Sequence, residues 1–338
     1  MVVVVLGAAD GRFTVGDVAF FIAAVGSFET TFSGVINGAG LLGRNVFLFS
    51  QYLTVLSTED DLADGDAEVG PLVDGIHFDD VWFRYDENGP WVLQGVNLFI
   101  PTGTTVGIVG LNGAGKSTMV KMLCRFYDPD RGAIRWDRQD LRALRVAELR
   151  RRMSVTFQDF VAYELSAREN VSLGSNGSGQ KLSDVRHAAT LAGMDDLLSS
   201  LPKGYDTMLS RTLVDEFDGT RGVTLSGGQW QRLALARTLI RRDADLFVLD
   251  EPSSGLDADA EHRLHEALSD FGDGKTRVLI SHRLAALRDA DVIVVLAGGR
   301  IVERGTHQEL LRADAEYARL FRLQASSYSD VLAPDAIS

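Results

Sequence analysis

GLNGAGKST, residues 110–118, is the stretch that decides the fold. TTVGIVG (104–110) precedes it as a short apolar β run, and MVKMLCRFY (119–127) follows it with helical spacing. A strand that turns through glycines into a helix leaves backbone N–H groups free to curl round an anion. Gly110, Gly113 and Gly115 provide the turn, with Asn112 and Ala114 between them. Lys116 adds a point charge that reaches terminal phosphates, Ser117 adds a hydroxyl for Mg2+, and Thr118 continues into the helix.

Strand, G-x-x-x-x-G-K-S, helix is the P-loop arrangement, which predicts an α/β fold. Three more strands are expected to end in chemistry. DLFVLDEP (245–252) is a short buried strand closing on two carboxylates. Asp250 is positioned to hold Mg2+, and Glu251 to deprotonate or orient an attacking water. TRVLISH (276–282) ends in His282, placed for a hydrogen bond to the terminal phosphate or the water. RRMSVTFQ (151–158) ends in Gln158, whose amide can reach Mg2+ or the same water. Parallel sheets bind ligands at the carboxyl ends of their strands, so these ends converge on one site. IHFDDVWFRY (76–85) reads as an earlier strand, with Tyr85 either stacking on adenine or filling a cross-strand position.

The chain has 338 residues and a net charge of −13. That charge argues against nucleic acid as main partner, because such binding rests on neutralising phosphates. RGAIRWDRQDLRALRVAELRRRM (131–153) is arginine-rich and is read as a solvated helix face. The single Cys124 forms no intrachain disulfide and lies in an apolar run, as core filler does.

The front of the chain differs. VGDVAFFIAAVGSFETTFSGVI (15–36) is apolar over a bilayer's width, with only Asp17 and Glu29 charged. Ala23, Ala24, Gly26, Ser27, Gly34 and Gly38 suit close helix packing in a membrane. A buried helix of a soluble domain is the alternative. MVVVVLGAADGR (1–12) lacks a basic leader and fits a signal peptide poorly. LLGRNVFLFSQYLTVLS (41–57) prolongs the same helix, and acidic STEDDLADGDAEVGP (57–71) reads as a linker.

One glycine cluster remains. LSGGQWQR (225–232) enters a helical run without a lysine after its glycines. The order GLNGAGKST, Gln158, LSGGQ, FVLDEP, SSGLD (253–257) and His282 resembles the nucleotide-binding domain of ABC transporters, over about residues 74–325. The front end is similar to the exporter type, as is the tail GTHQELLRADAEYARLFRLQ (305–324). The resemblance implies a P-loop NTPase, RecA-like core with an antiparallel β subdomain and a helical subdomain (about 159–239), preceded by a transmembrane or long helix. It implies ATP and Mg2+ as ligands. It also implies that Ser226, Gly227, Gly228 and Gln229 close over ATP held by a second copy, with Ser254 and Asp257 at the dimer face. LVDEFDGTRG (213–222) is similar to the exporter stretch that touches the membrane domain.

The expected layout is a membrane-domain remnant over 1–56, with its last span at about 15–40, then a linker over 57–73. The nucleotide-binding domain follows over 74–325, and a disordered tail over 326–338. Exporter halves have six membrane helices, and this chain has room for about one. It is therefore expected to be a fragment, or to pair with helices of another polypeptide. The expected place is the cell membrane, with the nucleotide-binding domain on the cytoplasmic side. Cargo, and pairing with self or a sister half, are not encoded in these motifs. A soluble ABC ATPase acting on nucleic acid or ribosomes, a non-hydrolytic regulator, and a truncated chain retaining ATPase without transport are the alternatives. The acidic charge opposes the first, and the presence of Glu251 and His282 opposes the second.

Overall fold

The computed structural model describes residues 14–57, 62–175, 177, 180–210, 222–252 and 274–332, with side chains through residue 325. Ser254, Asp257 and residues 213–221 lie outside the described residues. The chain divides into two compact units, Met1–Asp61 and Leu62–Ser338.

In the first unit, helix α1 runs over Val15–Ser57 as 43 residues, none of them buried. At 1.5 Å per residue it is about 65 Å long, more than a bilayer core requires. The expected span and its expected continuation are thus one uninterrupted helix. Thr14 starts it, its hydroxyl accepting from the Asp17 N–H at 3.2 Å while the Asp17 carboxylate accepts from the Thr14 N–H at 2.8 Å. Inside the apolar stretch, the Thr30 and Thr31 hydroxyls donate to the Gly26 and Ser27 carbonyls, each at 2.8 Å. Hydroxyls satisfied by their own helix leave an outer surface with little need of water.

The second unit begins with two antiparallel strands, β1 (Gly75–Phe83) and β2 (Leu93–Pro101). β3 (Thr105–Val109) is buried at all five positions and leads through the glycine loop into α2 (Lys116–Leu123). β4 (Arg131–Trp136) and β5 (Gln139–Asp140) join the first pair in a four-stranded sheet ordered β2-β1-β4-β5. Short α3 (Val146–Arg151) then leads to β6 (Met153–Thr156). The arginine-rich segment is therefore mainly strand and turn rather than a helix face. Its alternation (Ala133, Ile134 and Trp136 buried, Arg131 and Arg135 exposed) pairs β4 with β1, which outweighs local helix preference. Arg150 in α3 is not a plain solvated charge. Its guanidinium donates to the Cys124 and Arg125 carbonyls and lies 4.7 Å from the Phe126 ring centre. Cys124 is buried, and that burial pushes its thiol up to about 12, as inert core filler.

Four helices follow: α4 (Ala167–Ser172), α5 (Leu182–Leu191), α6 (Asp195–Ser200) and α7 (Gly227–Leu239). Ala167, Val171, Val185, Ala188, Leu198, Leu233 and Leu239 share one apolar cluster, which makes these helices a subdomain with its own core. The chain then returns to the sheet with β7 (Leu246–Asp250) and β8 (Thr276–Ile280), followed by β9 (Val292–Ala297) and β10 (Arg300–Gly305). The six-stranded sheet is ordered β10-β9-β3-β8-β7-β6, parallel except for β10. β3, β7 and β9 are nearly continuous buried runs, as in a sheet covered on both faces. Ile76, Val96 and Ile134 of the antiparallel sheet share a core cluster with Ile108, Met119 and Val248, so the two sheets pack over α2.

α8 (His307–Ala313) and α9 (Glu316–Leu332) close the unit. The tail expected to be disordered from 326 continues as helix to Leu332. Residues 333–338 lie outside the described residues. The Glu303 carboxylate anchors the start of α9 by accepting from the Glu316 and Tyr317 N–H groups at 2.6 and 2.9 Å. Tyr317 is fully buried, and Leu320 and Phe321 pack with it onto Leu284 and Leu287.

Candidate functional site

The parallel strands of the large sheet present their carboxyl ends to one edge. Gly110 follows β3, Asp250 ends β7 and Glu251 follows it, His282 lies two residues past β8, and Gln158 lies two residues past β6. Tyr85, Asn112, Gly113, Gly115, Lys116, Ser117, Thr118, Gln158 and Glu251, with Val92, line one cleft of about 530 Å³.

The loop's shape is set by residues without side-chain clashes. Gly115, at φ 105°, turns the chain into α2 in a conformation L side chains rarely adopt. Gly113, at φ 78°, has open space where a Cβ would stand, which is room for an oxygen-rich ligand. α2 begins with no side-chain cap, so its first N–H groups are available to an anion. The Lys116 ammonium donates to the Gly110 carbonyl at 2.8 Å and the Leu111 carbonyl at 3.1 Å, folded back over its own loop. Lys116 is 7% exposed; burial lowers its pKa, opposed by the negative charges of Glu251 and Asp250.

Asp250 is 3% exposed, and its carboxyl is pushed up, first by burial. Ser117 hydrogen-bonds to it and Lys116 attracts it, which pull the other way, while Glu251 and Asp159 add like charge. Hard oxygen donors crowded into a buried, negatively charged corner suit Mg2+, which takes one or two protein oxygens and leaves the rest to phosphate and water. Among the described residues there is no cluster of three or more His, Cys, Asp or Glu that would cage a metal without phosphate.

Glu251 stands at φ 54°, a left-handed conformation uncommon for a residue with a side chain. Its N–H donates to the Ile280 carbonyl at 2.8 Å, and its carbonyl accepts from the Gln231 amide at 2.9 Å. Held on both sides, its carboxylate meets the His282 ring, with Nδ1 3.2 Å from Oε1. Tyr85 lies two residues past β1 and is 47% exposed. Its ring meets Phe83 and Tyr127 edge-on, and its hydroxyl lies 3.1 Å from the Thr118 hydroxyl. Tyr85 thus stands past the strand end with a half-exposed ring, not in the cross-strand core position that is the alternative to adenine stacking.

Ser226, Gly227, Gly228 and Gln229 do not line this cleft. Ser226 caps α7 instead. Its hydroxyl accepts from the Gln229 N–H at 3.4 Å, and the Gln229 side-chain oxygen accepts from the Ser226 N–H at 2.8 Å. Arg237, further along α7, donates to the Val161 and Asn170 carbonyls and lies over the Tyr163 ring at 4.8 Å. Burial brings its pKa down to about 10, so it stays charged at neutral pH. The last turn of α7 is therefore joined to α4 and to the segment after Gln158 by one guanidinium.

Sequence reasoning missed Gln231, Arg237 and Asp159. A signal existed for Gln231: it is a polar residue on the inward face of an otherwise apolar helix stretch. Arg237 and Asp159 carried no such mark.

A family model described as ABC transporter matches residues 93–254. The chain is 43% identical over 249 residues to an ATP-dependent lipid A-core flippase of Alkalilimnicola ehrlichii, covering 74% of this chain and 40% of that protein. It is 37% identical to a flippase of the same name from Alcanivorax borkumensis, covering 93% and 52%. It is 40% identical to the cyclolysin secretion/processing ATP-binding protein CyaB of Bordetella pertussis, covering 80% and 36%. A solved structure of a bacterial Atm1-family ABC exporter with ATP bound superposes with a TM-score of 0.74 at 32% identity, covering 95% of this chain and 55% of that one. The chain spans about half the length, or less, of the curated relatives named here. Glycine loop, strand-end carboxylates, helical subdomain and these likenesses together place the chain in the ABC transporter family, through its ATP-binding domain.

Proposed function

We propose that this chain binds ATP with Mg2+ in the 530 Å³ cleft and hydrolyses it to ADP and phosphate. In this reading it is the energising part of an exporter. The observation that carries it is the convergence of Lys116, Ser117, Gln158 and Glu251 on one cleft, with Asp250 bonded to Ser117 and His282 bonded to Glu251. Tyr85 takes the adenine ring. Backbone N–H groups from Gly110 to Ser117, through Asn112, Gly113, Ala114 and Gly115, receive the β-phosphate. Lys116 leaves its own loop carbonyls for the terminal phosphates, which offer a full opposite charge. Ser117, Asp250 and Gln158 are the oxygen donors for Mg2+, which when bound neutralises phosphate charge. Glu251 accepts a proton from water, whose oxygen attacks the γ-phosphorus. The bond from that phosphorus to the bridging oxygen breaks, and ADP departs with the electron pair. His282 holds the Glu251 carboxylate in place for this transfer.

The cap comes from a second ABC domain, whose Ser226, Gly227, Gly228 and Gln229 approach the γ-phosphate of the first. Asp257 belongs to the same face. Two copies, or this chain and a sister half, pair head to tail so that each nucleotide is shared. Losing the γ-phosphate contacts on hydrolysis releases the pair. Helix α1, unburied, crosses the membrane over about residues 15–40 beside helices supplied by other segments and continues as a cytoplasmic extension, with the ATPase unit on the cytoplasmic side. The solute is left undefined by these residues, and nucleic acid is not a partner.

Phosphate release by the full chain in lipid vesicles tests the reading. Glu251→Gln is expected to lower kcat by about 10²–10³, leave ATP affinity unchanged and accumulate an ATP-bound dimer. Turnover at the parental rate would overturn the base assignment.

A further inference from the structure

Nothing in the hydrolysis scheme uses the last helix, yet α9 touches the loop that carries His282. Gln324 projects from α9 to the backbone on both sides of Arg283. Its side-chain oxygen accepts from the Leu284 N–H at 2.9 Å, and its amide nitrogen donates to the His282 carbonyl. One planar amide thus pairs with two backbone groups as a neighbouring strand would.

Ser281 bridges to the Arg283 N–H at 2.9 Å, a bond within the loop that does not tie it to a neighbour. Leu284 is 2% exposed and packs on the Tyr317, Leu320 and Phe321 face of α9, so the helix grips the loop by side chain and by backbone. α9 is itself fixed at its start by Glu303. A rigid path therefore runs from Glu303 along α9 to Gln324, to the His282 backbone, and through the His282 ring to Glu251.

We propose that Gln324 is a positioning residue, which sets the His282 ring against the Glu251 carboxylate and so couples the C-terminal helix to the hydrolysis site. This rests on the reading of the cleft as an ATPase site. Gln324 touches no reacting atom. It acts by restricting where the His282 backbone can move, and small displacements of a catalytic group cost much in rate.

Gln324→Met removes both hydrogen bonds while keeping length and helix preference; Gln324→Ala serves as a second variant if the thioether disturbs packing. In the full chain, kcat is expected to fall about tenfold with KM within about twofold. In a His282→Ala background the same substitution is expected to change nothing further, a non-additivity that lost stability alone does not produce. The imidazole 15N signals of His282 supply a readout independent of turnover, assigned by their loss in His282→Ala among the six histidines. They are expected to shift or broaden in Gln324→Met. Unchanged His282 signals overturn the inference whether or not the chain hydrolyses ATP, as does an undiminished kcat loss in the His282→Ala background. ATP binding without turnover in the parent, with His282 signals that do shift, would refute the ATPase reading and leave the positioning role standing.

Discussion

Among the described residues, α2 and α7 are both entered through glycines, and they begin differently. α2 starts at Gly115 with no side-chain cap, and its lysine is bent back onto two loop carbonyls. α7 starts at Ser226 with a complete capping box, each partner satisfying the other's backbone. The first start is incomplete on its own, with free N–H groups, a buried ammonium and a buried Asp250 whose charge burial disfavours. The second meets two of its N–H groups, those of Ser226 and Gln229, with its own side chains. A site that grips a triphosphate has to hold unmet hydrogen-bonding and charge in reserve, at a cost to the unliganded fold. A surface that closes over someone else's ligand has to survive alone until that ligand arrives.

The largest break in this comparison comes from Lys116→Ala. Charge-assisted hydrogen bonds to phosphate contribute about 1.5–3 kcal/mol each, so ATP affinity is expected to fall by about 100-fold, read by nucleotide fluorescence titration. An affinity within a fewfold of the parent would mean that the α2 start does not carry the phosphate.

Ser226→Arg addresses the other helix. Ser226 is exposed and outside the cleft, so one-site ATP binding is expected to stay within about twofold while the ATP-dependent dimer and its turnover drop at least about tenfold. Light scattering with and without ATP separates the two outcomes. Loss of one-site binding instead would place the α7 start in the chain's own site and remove the division of labour.

Much of this contrast is legible in the amino-acid sequence. Gly110 to Thr118 is one local segment, and its chemistry is written in consecutive residues. Asp250, Glu251 and His282 are legible because each terminates or closely follows an apolar strand, and parallel strands bring such ends together. What is not legible depends on partners distant in the chain. Arg131 and Arg135 lie on a strand because β1, some 50 residues earlier, pairs with them. Gln324 meets the His282 loop across 40 and 42 residues, and a lone glutamine near a helix end carries no periodic sign of that.

Asp250→Asn sharpens the claim that the α2 side is held under unfavourable charge. A carboxyl raised in the folded state above its ordinary value of 3.8 makes the fold lose stability as pH climbs through the raised value, and above it the loss is complete. At pH 7 the variant is therefore expected to melt a few degrees higher than the parent without nucleotide. Below pH 3.8 the two are expected to converge, since the parent is then protonated in both states. With ATP and Mg2+ the order is expected to reverse, because the parent alone offers the anionic oxygen. A variant that melts lower at pH 7 would show that the Ser117 and Lys116 contacts outweigh the burial, and the reserve would have to lie in Lys116 alone.

The smallest effect probes the capping of the α7 start. Gln229→Ala removes the acceptor for the Ser226 N–H while leaving the Ser226 hydroxyl on the N–H of residue 229. Losing half of a capping box costs about 1 kcal/mol, which for a unit of this size is about 2–4 °C in Tm. Ser226→Ala removes the other half and is expected to cost a similar amount, but the pair together less than the sum, since each bond holds the geometry for the other. The functional consequence separates the two. If the capping box only stabilises the helix, both substitutions weaken the ATP-dependent dimer equally. If the Ser226 hydroxyl is itself presented to the second copy's γ-phosphate, Ser226→Ala is expected to lower dimer formation several-fold more than Gln229→Ala at matched stability. Equal losses would leave the backbone N–H groups of Gly227 and Gly228 as the closing surface, with the serine reduced to their support.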